Sequence, residues 1–449
     1  MRKKDILSAI PVFLLVIICL FRCGGSSENI SYNKFVQETL PNGLDLIIKH
    51  NPDSRVFAIN ILGKNRSLLE PEGKTGITDF VNRMLVSGAD GMDASAIQNA
   101  LDDIGADITA NDNPYIPYDD RYTSRAYSFI KFETIDEYAK DGTRLFYSIV
   151  SKPDFPEDEI DNTKGEVMGL LGMKSGSTYQ NARDLFYSTL FAEFPFSKTI
   201  MGDRSSVMSF TREDLVQHHR KFYAPNNMIL AVVTDIDPDT IKTWIYDTFG
   251  EMEKNTGDYP ALAEPHGINE RVEVNHEMDK EQIYIYMGNL CPGIKSPEAP
   301  AIHMASSIIS SRMRENLREK QGLAYSVGMG VNFMPDFGWF IAAMGTGYEN
   351  YDVARDGMLM EISKMKEEAP TEEELKTAQN STWGSMLLAR ASRINQAYYM
   401  CKNEFLGMGY DYEDDYISKI RKVTPDEVRQ VTADYLKTDD IVIASAGKK

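Results

Sequence analysis

Histidine is scarce in this chain, with six among 449 residues. A site built from clustered imidazoles has few residues to draw on. Cysteine is scarcer, and four of them exclude a disulfide-stapled scaffold. Positive charge is also short: 48 Lys and Arg stand against 67 Asp and Glu, a formal net charge of −19. A surface that negative lacks the basic footprint of a nucleic-acid binder, so no nucleic-acid partner is expected. Long apolar runs are missing, with one exception. Residues 6–21 form sixteen uncharged positions, short for a spanning helix and right for the apolar region of a signal peptide. What is present is the balance of a globular protein, 42% hydrophobic and 26% charged, over a length that suggests several domains.

Arg2, Lys3 and Lys4 precede the apolar run, and Cys23 follows it. Gly24, Gly25, Ser26 and Ser27 then make a flexible polar tether. A cysteine so placed resembles a bacterial lipoprotein cleavage site, although Arg22 stands where a small residue is usual. The expectation is a leader over 1–22, a tether over 23–35 and lipidation at Cys23. An uncleaved signal anchor and simple secretion remain alternatives. Each puts the chain outside the cytoplasm, as a periplasmic or outer-membrane lipoprotein, another membrane-tethered form, or a secreted protein. Cys291 and Cys401 are the cysteines of the body, and nothing in the sequence says whether they pair.

An internal repeat organises the rest. Residues 211–234, TREDLVQHHRKFYAPNNMILAVVT, align with 424–447, TPDEVRQVTADYLKTDDIVIASAG, at a constant offset of 213. Both copies start with Thr and place an acid three residues later, the mark of a capped helix start. Both end in a short apolar run of strand type. Chance similarity of two amphipathic helices is the alternative, but the register is kept through helix, turn and strand. The repeat implies related halves over 36–252 and 271–449, joined by a Pro- and Gly-containing linker over 253–270. Asn42-Gly43 signals a hairpin. Helices are expected at 94–104, 159–173 and 372–390, and strands at 56–62, 282–287 and 339–343. Helices and strands do not alternate regularly, so the fold class is α+β.

Two stretches carry chemistry. The first is Gly76–Leu85, GITDFVNRML, followed by SAIQNALDDIG over 95–105. With the preceding LPNGL turn it resembles the first domain of the insulinase/pitrilysin metallopeptidase family, which includes the mitochondrial processing peptidases. The resemblance implies two homologous domains, each a mainly antiparallel sheet packed with helices, in the half-clamshell of that family. Its active members carry H-x-x-E-H on the corresponding helix, with a distant Glu completing a zinc site. Here Asp79 stands at the first His, Asn82 at the Glu and Arg83 at the second His. Asn is no general base, and Arg has no lone pair to give a metal. The distant acid falls near Leu171 by spacing, with Glu166 the nearest carboxylate and Glu159 seven residues before it. His218 and His219 are adjacent and point to different helix faces, so they read as surface or partly buried histidines. Asp107–Ala110 departs from the family's Asn-Ala strand, and residues 111–124 look longer than usual.

The second stretch, residues 310–327, reads SSRMRENLREKQGLAYSV and resembles the family's second-domain signature nearly position for position. In active members its Arg and Tyr contact the carbonyl of the bond being cut; carried over, these are Arg318 and Tyr325. Gly322 would let the chain turn from helix to strand. A degenerate first motif beside an intact second one implies the non-zinc subunit of a heterodimeric peptidase. No cofactor is expected in this chain. Zinc belongs to a homologous partner with intact H-x-x-E-H, and the substrate is a peptide. The alternative is an inactive pseudo-peptidase that binds peptides or scaffolds a complex.

Overall fold

The computed structural model describes residues 34–111, 124–324 and 326–449. The leader, Cys23, most of the tether, residues 112–123 and Tyr325 lie outside the described residues.

The first half opens with a hairpin of Lys34–Thr39 (β1) and Asp45–His50 (β2), with Thr39 facing Asp45. Gly43 closes the loop at φ 89°, a left-handed conformation that favours glycine. Val56–Lys64 (β3), Asp107–Thr109 (β4), Tyr127–Ile135 (β5) and Met228–Thr234 (β6) complete a sheet in the order β1-β2-β6-β3-β5-β4. The second half contributes Val272–His276 (β7), Gln282–Gly288 (β8), Leu290–Pro292 (β9), Val327–Phe333 (β10), Phe337–Gly347 (β11) and Val442–Ala446 (β12). Its sheet runs β9-β11-β8-β12-β7, with β10 paired to β11.

The two sheets repeat one plan. β2 pairs in parallel with β6, as β7 does with β12. β6 is antiparallel to β3 and β12 to β8; β3 is antiparallel to β5 and β8 to β11. The repeat seen in the sequence thus lies in equivalent places of both halves.

The helices that matter below are Ile77–Met84 (α1), Glu157–Ser175 (α2), Thr178–Leu190 (α3), Arg212–Phe222 (α4), Ala299–Met313 (α5), Glu372–Ala389 (α6), Arg393–Phe405 (α7) and Pro425–Tyr435 (α8). Capping boxes start α4 (Thr211, Asp214), α6 (Thr371, Glu374) and α8 (Thr424, Glu427). Each satisfies backbone N–H groups that the helix leaves without partners.

β6 is buried along its whole length, and its side chains alternate between two cores. Met228, Leu230 and Val232 enter the core of the first half, under α1 and α4. Ile229, Ala231 and Val233 face a second core between the halves. The helices that cover this central core are exchanged. α3, from the first half, packs on β12, β8 and β7; α7, from the second, packs on β3, β6 and β5. Arg393 opens α7, and its guanidinium donates to the carbonyls of Asn51, Ser54 and Val56 in the first half. Cys291 and Cys401 are both buried and both free thiols. Among the described residues no helix is long and apolar enough to cross a membrane.

Candidate functional site

α1 is short, and all eight of its residues are buried. Its start is held by the Glu70 carboxylate, which accepts from the Gly76 N–H at 3.0 Å and the Thr78 N–H at 3.4 Å. Burial raises the Glu70 pKa, while Arg66 and these donors oppose the rise. Gly76 sits at φ 86°, where an added Cβ would lie 2.3 Å from the Gly202 nitrogen. Helix start and helix position are therefore fixed together.

One turn apart on this helix, Arg83 Nε donates to Asp79 Oδ2 at 2.7 Å, and both side chains are nearly inaccessible to solvent. The other end of the guanidinium reaches Glu166 Oε1 at 3.2 Å, across from α2. Arg66 approaches Asp79 Oδ1 from the opposite side at 3.8 Å. Asn82 is engaged at both ends of its amide: it donates to Ser128 Oγ at 2.6 Å and accepts from the Tyr223 hydroxyl at 2.5 Å. Burial also pushes the Tyr223 phenol well up.

These contacts decide whether a metal fits. Two fixed guanidinium charges surround Asp79, and at this separation they repel any divalent cation that approaches. The Asn82 amide oxygen already accepts from Tyr223, and an amide cannot take a proton as a general base. Zinc does not fit these residues. Among the described residues no group of three His, Cys, Asp or Glu could hold a metal ion.

The acid of α2 that reaches α1 is Glu166; Leu171, the position suggested by spacing, packs against the first core instead. Glu159 lies half-buried two turns earlier on α2. His218 and His219 correct the expectation of surface or partly buried positions, since they are only 4% and 6% exposed. His218 Nε2 shares a hydrogen bond with Thr78 Oγ1 at 2.9 Å, and His219 Nε2 donates to the Val150 carbonyl at 2.8 Å. Adjacent helix residues face different ways, and here both directions are interior because α4 lies between α1 and the segment at Val150. Sequence reasoning also missed Arg66, Glu70, Ser128 and Tyr223. No local motif flags them; they meet α1 only through the fold.

In the second half, α5 runs into a wider π-helical turn, Arg314–Glu319, marked by the Lys320 N–H bonding to the Glu315 carbonyl at 3.0 Å. Gly322, at φ 66°, ends it: its N–H bonds the Arg318 carbonyl at 3.0 Å, and the Leu323 N–H bonds the Leu317 carbonyl at 2.9 Å. This paired closure is the left-handed helix end that glycine favours. Leu317 is buried and Arg318 is exposed, so the turn anchors on one side and presents the guanidinium on the other. Tyr325 falls outside the described residues. The Arg318 turn packs on α5 and β10, whereas α1 packs on α2 and α4, so the two motifs sit in separate halves.

Residues 209–382 match the family described as the peptidase M16 inactive domain. The chain is 24% identical over 415 residues to an uncharacterized zinc protease of Bacillus subtilis, covering 90% of this chain and 96% of that one. It is 22% identical to a probable mitochondrial-processing peptidase subunit beta of Arabidopsis thaliana, over 48% of this chain and 39% of the relative. Its fold matches a peptidase M16 inactive domain from Pseudomonas fluorescens with a TM-score of 0.84 at 20% identity, covering 93% of this chain and 98% of that one. The family resemblance and the α+β class read from the sequence both hold.

Proposed function

We propose that this chain is the non-zinc subunit of a heterodimeric M16 peptidase. Its partner is a homologous chain with intact H-x-x-E-H, and the reaction is hydrolysis of peptide bonds. The observation that carries the reading is the Arg83 guanidinium seated between Asp79 and Glu166. A helix so built cannot activate water, while the turn that presents Arg318 keeps its glycine closure. The relative named as a processing-peptidase subunit supports a subunit role.

In this reading Arg318 and Tyr325 face the partner's chamber. A fixed cation and a phenol donor aimed at the carbonyl oxygen stabilise the negative charge that develops there. The remaining surface forms half of the chamber wall. Export belongs to the same reading: Cys23 carries the lipid of a periplasmic or outer-membrane lipoprotein, with an uncleaved anchor or secretion as the other routes.

The test is an activity assay on a peptide library with this chain, a zinc-motif homologue and their mixture. We expect turnover from the mixture only. Arg318→Ala in this chain should lower kcat by about 100-fold, the scale of losing one oxyanion donor. Unchanged turnover with both Arg318→Ala and Tyr325→Phe would favour an inactive pseudo-peptidase that binds peptides or scaffolds a complex.

A further inference from the structure

Between the halves, where the exchanged helices approach each other, lies a cavity of about 340 Å³. That is within the range of small-molecule sites. Its walls are largely aromatic: Tyr187 from α3, Tyr399 from α7, Trp339 from β11, Phe333 from β10 and Tyr412 beyond α7. Glu413 is the one carboxylate among its described lining residues, while Arg125, Arg183, Arg390 and Lys402 supply cations. In a chain with a net charge of −19 this is a local reversal of sign.

The cations are not equivalent. Arg125 lies over the Tyr187 ring at 3.6 Å and faces Asp184 Oδ1 at 3.6 Å. Arg183 also acts on the Asp184 carboxylate, which Lys174 contacts as well; together they hold its pKa down against the effect of burial. Arg390 lies over the Tyr399 ring at 4.0 Å and is paired with Glu413. Glu413 is further engaged by the Asn403 amide at 2.9 Å. Lys402 differs. It is half-buried, its Nζ stands 5.9 Å from the centre of the Tyr399 ring, and among the described residues no carboxylate lies within ion-pair distance of it. His303, also on the wall, is hydrogen-bonded through Nδ1 to the Tyr416 hydroxyl at 3.0 Å. Burial lowers its pKa to about 4, so it is neutral near pH 7.

A partly desolvated ammonium without a counter-charge is costly, and a bound anion offsets that cost. Surrounding rings favour a flat apolar body through stacked and edge contacts. We propose that this cavity binds a monocarboxylate carried on an aromatic body, with the carboxylate on Lys402 and the ring among Tyr187, Trp339 and Tyr399. One lysine sets the charge of the ligand, and the aromatic walls set its shape. The site lies within this chain and does not depend on the peptidase reading.

The test uses the full chain with N-acetyl-L-phenylalanine and its uncharged amide, followed by calorimetry and by tryptophan fluorescence, which Trp339 makes sensitive to occupancy. We expect saturable binding of the acid at or below about 1 mM and at least about tenfold weaker binding of the amide. Lys402→Met should weaken the acid about tenfold and leave the amide unaffected, whereas Lys402→Arg should retain acid binding. A melting curve for each variant separates lost binding from lost folding. No saturable binding of the acid, equal affinity for acid and amide, or full affinity in a folded Lys402→Met variant would each overturn the proposal.

Discussion

Arg83 lies buried on α1 and brings a positive charge to Asp79 and Glu166. Its ion pair with Asp79 is almost fully desolvated, and breaking a buried pair typically costs about 3–5 kcal/mol; here Glu166 on Arg83 and Arg66 on Asp79 keep the loss at the low end of that range. That α1 carries Asp79, Asn82 and Arg83 was legible in the sequence. That the guanidinium reaches Glu166 was not: the sequence offered Glu166 as the nearest carboxylate to position 171, and spacing along the chain does not say which acid faces α1. The buried histidines were misread for a related reason: polarity and adjacency say nothing of what packs on both sides of α4. Their burial has a pH consequence. Burial chiefly lowers His218 to about 3 and His219 to about 4, against 6.5 for a free imidazole. Below pH 6.5 the unfolded chain therefore binds more protons than the folded one, and stability present above that pH is lost as pH falls towards those values. Each histidine contributes a slope of about 1.4 kcal/mol per pH unit within the window. Asp136 acts in the opposite sense, since burial and Asp235 raise it from 3.8 to about 6. A comparison with His219→Gln isolates one histidine. We expect the urea midpoint of the wild type to fall between about pH 7 and pH 5.5, and that of the variant to fall less; equal slopes would contradict a neutral buried His219.

At the scale of elements, local signals were strong where the backbone itself demands partners. Thr211, Thr371 and Thr424 each begin a helix with an acid three residues on, and each forms the capping box that this pattern implies. Gly322 likewise closes the Arg318 turn through its left-handed conformation. The exchange of α3 and α7 was not legible. An amphipathic helix declares that it has an apolar face, not which sheet will cover it. Arg393 is the clearest measure of that docking, because its guanidinium satisfies three backbone carbonyls of the other half. Arg393→Ala removes these charge-assisted bonds, and we expect a loss of about 3 kcal/mol in chemical denaturation. A loss within about 0.5 kcal/mol, the scale of an ordinary surface change, would mean that α7 does not rely on them.

For the whole molecule, the exchanged helices make the halves interdependent. The 213-residue repeat suggested two related halves joined by a linker, and the sheets do share one topology. Yet Ile229, Ala231 and Val233 of one half and Val442, Ala444 and Ala446 of the other belong to the same central core. Residues 34–252 and 271–449 produced separately should each expose that apolar face, bind a hydrophobic dye and lack a cooperative melt, and should recover one when combined. Two independent cooperative transitions would contradict the shared core.

The zinc content of the purified full chain is the most direct test of the metal-free first motif. After equilibration with zinc and removal of the unbound ion, elemental analysis should find far less than one zinc per chain. One tightly held zinc per chain, lost on Asp79→Ala or Glu166→Gln, would contradict the assignment of Arg83 as the cation of this site.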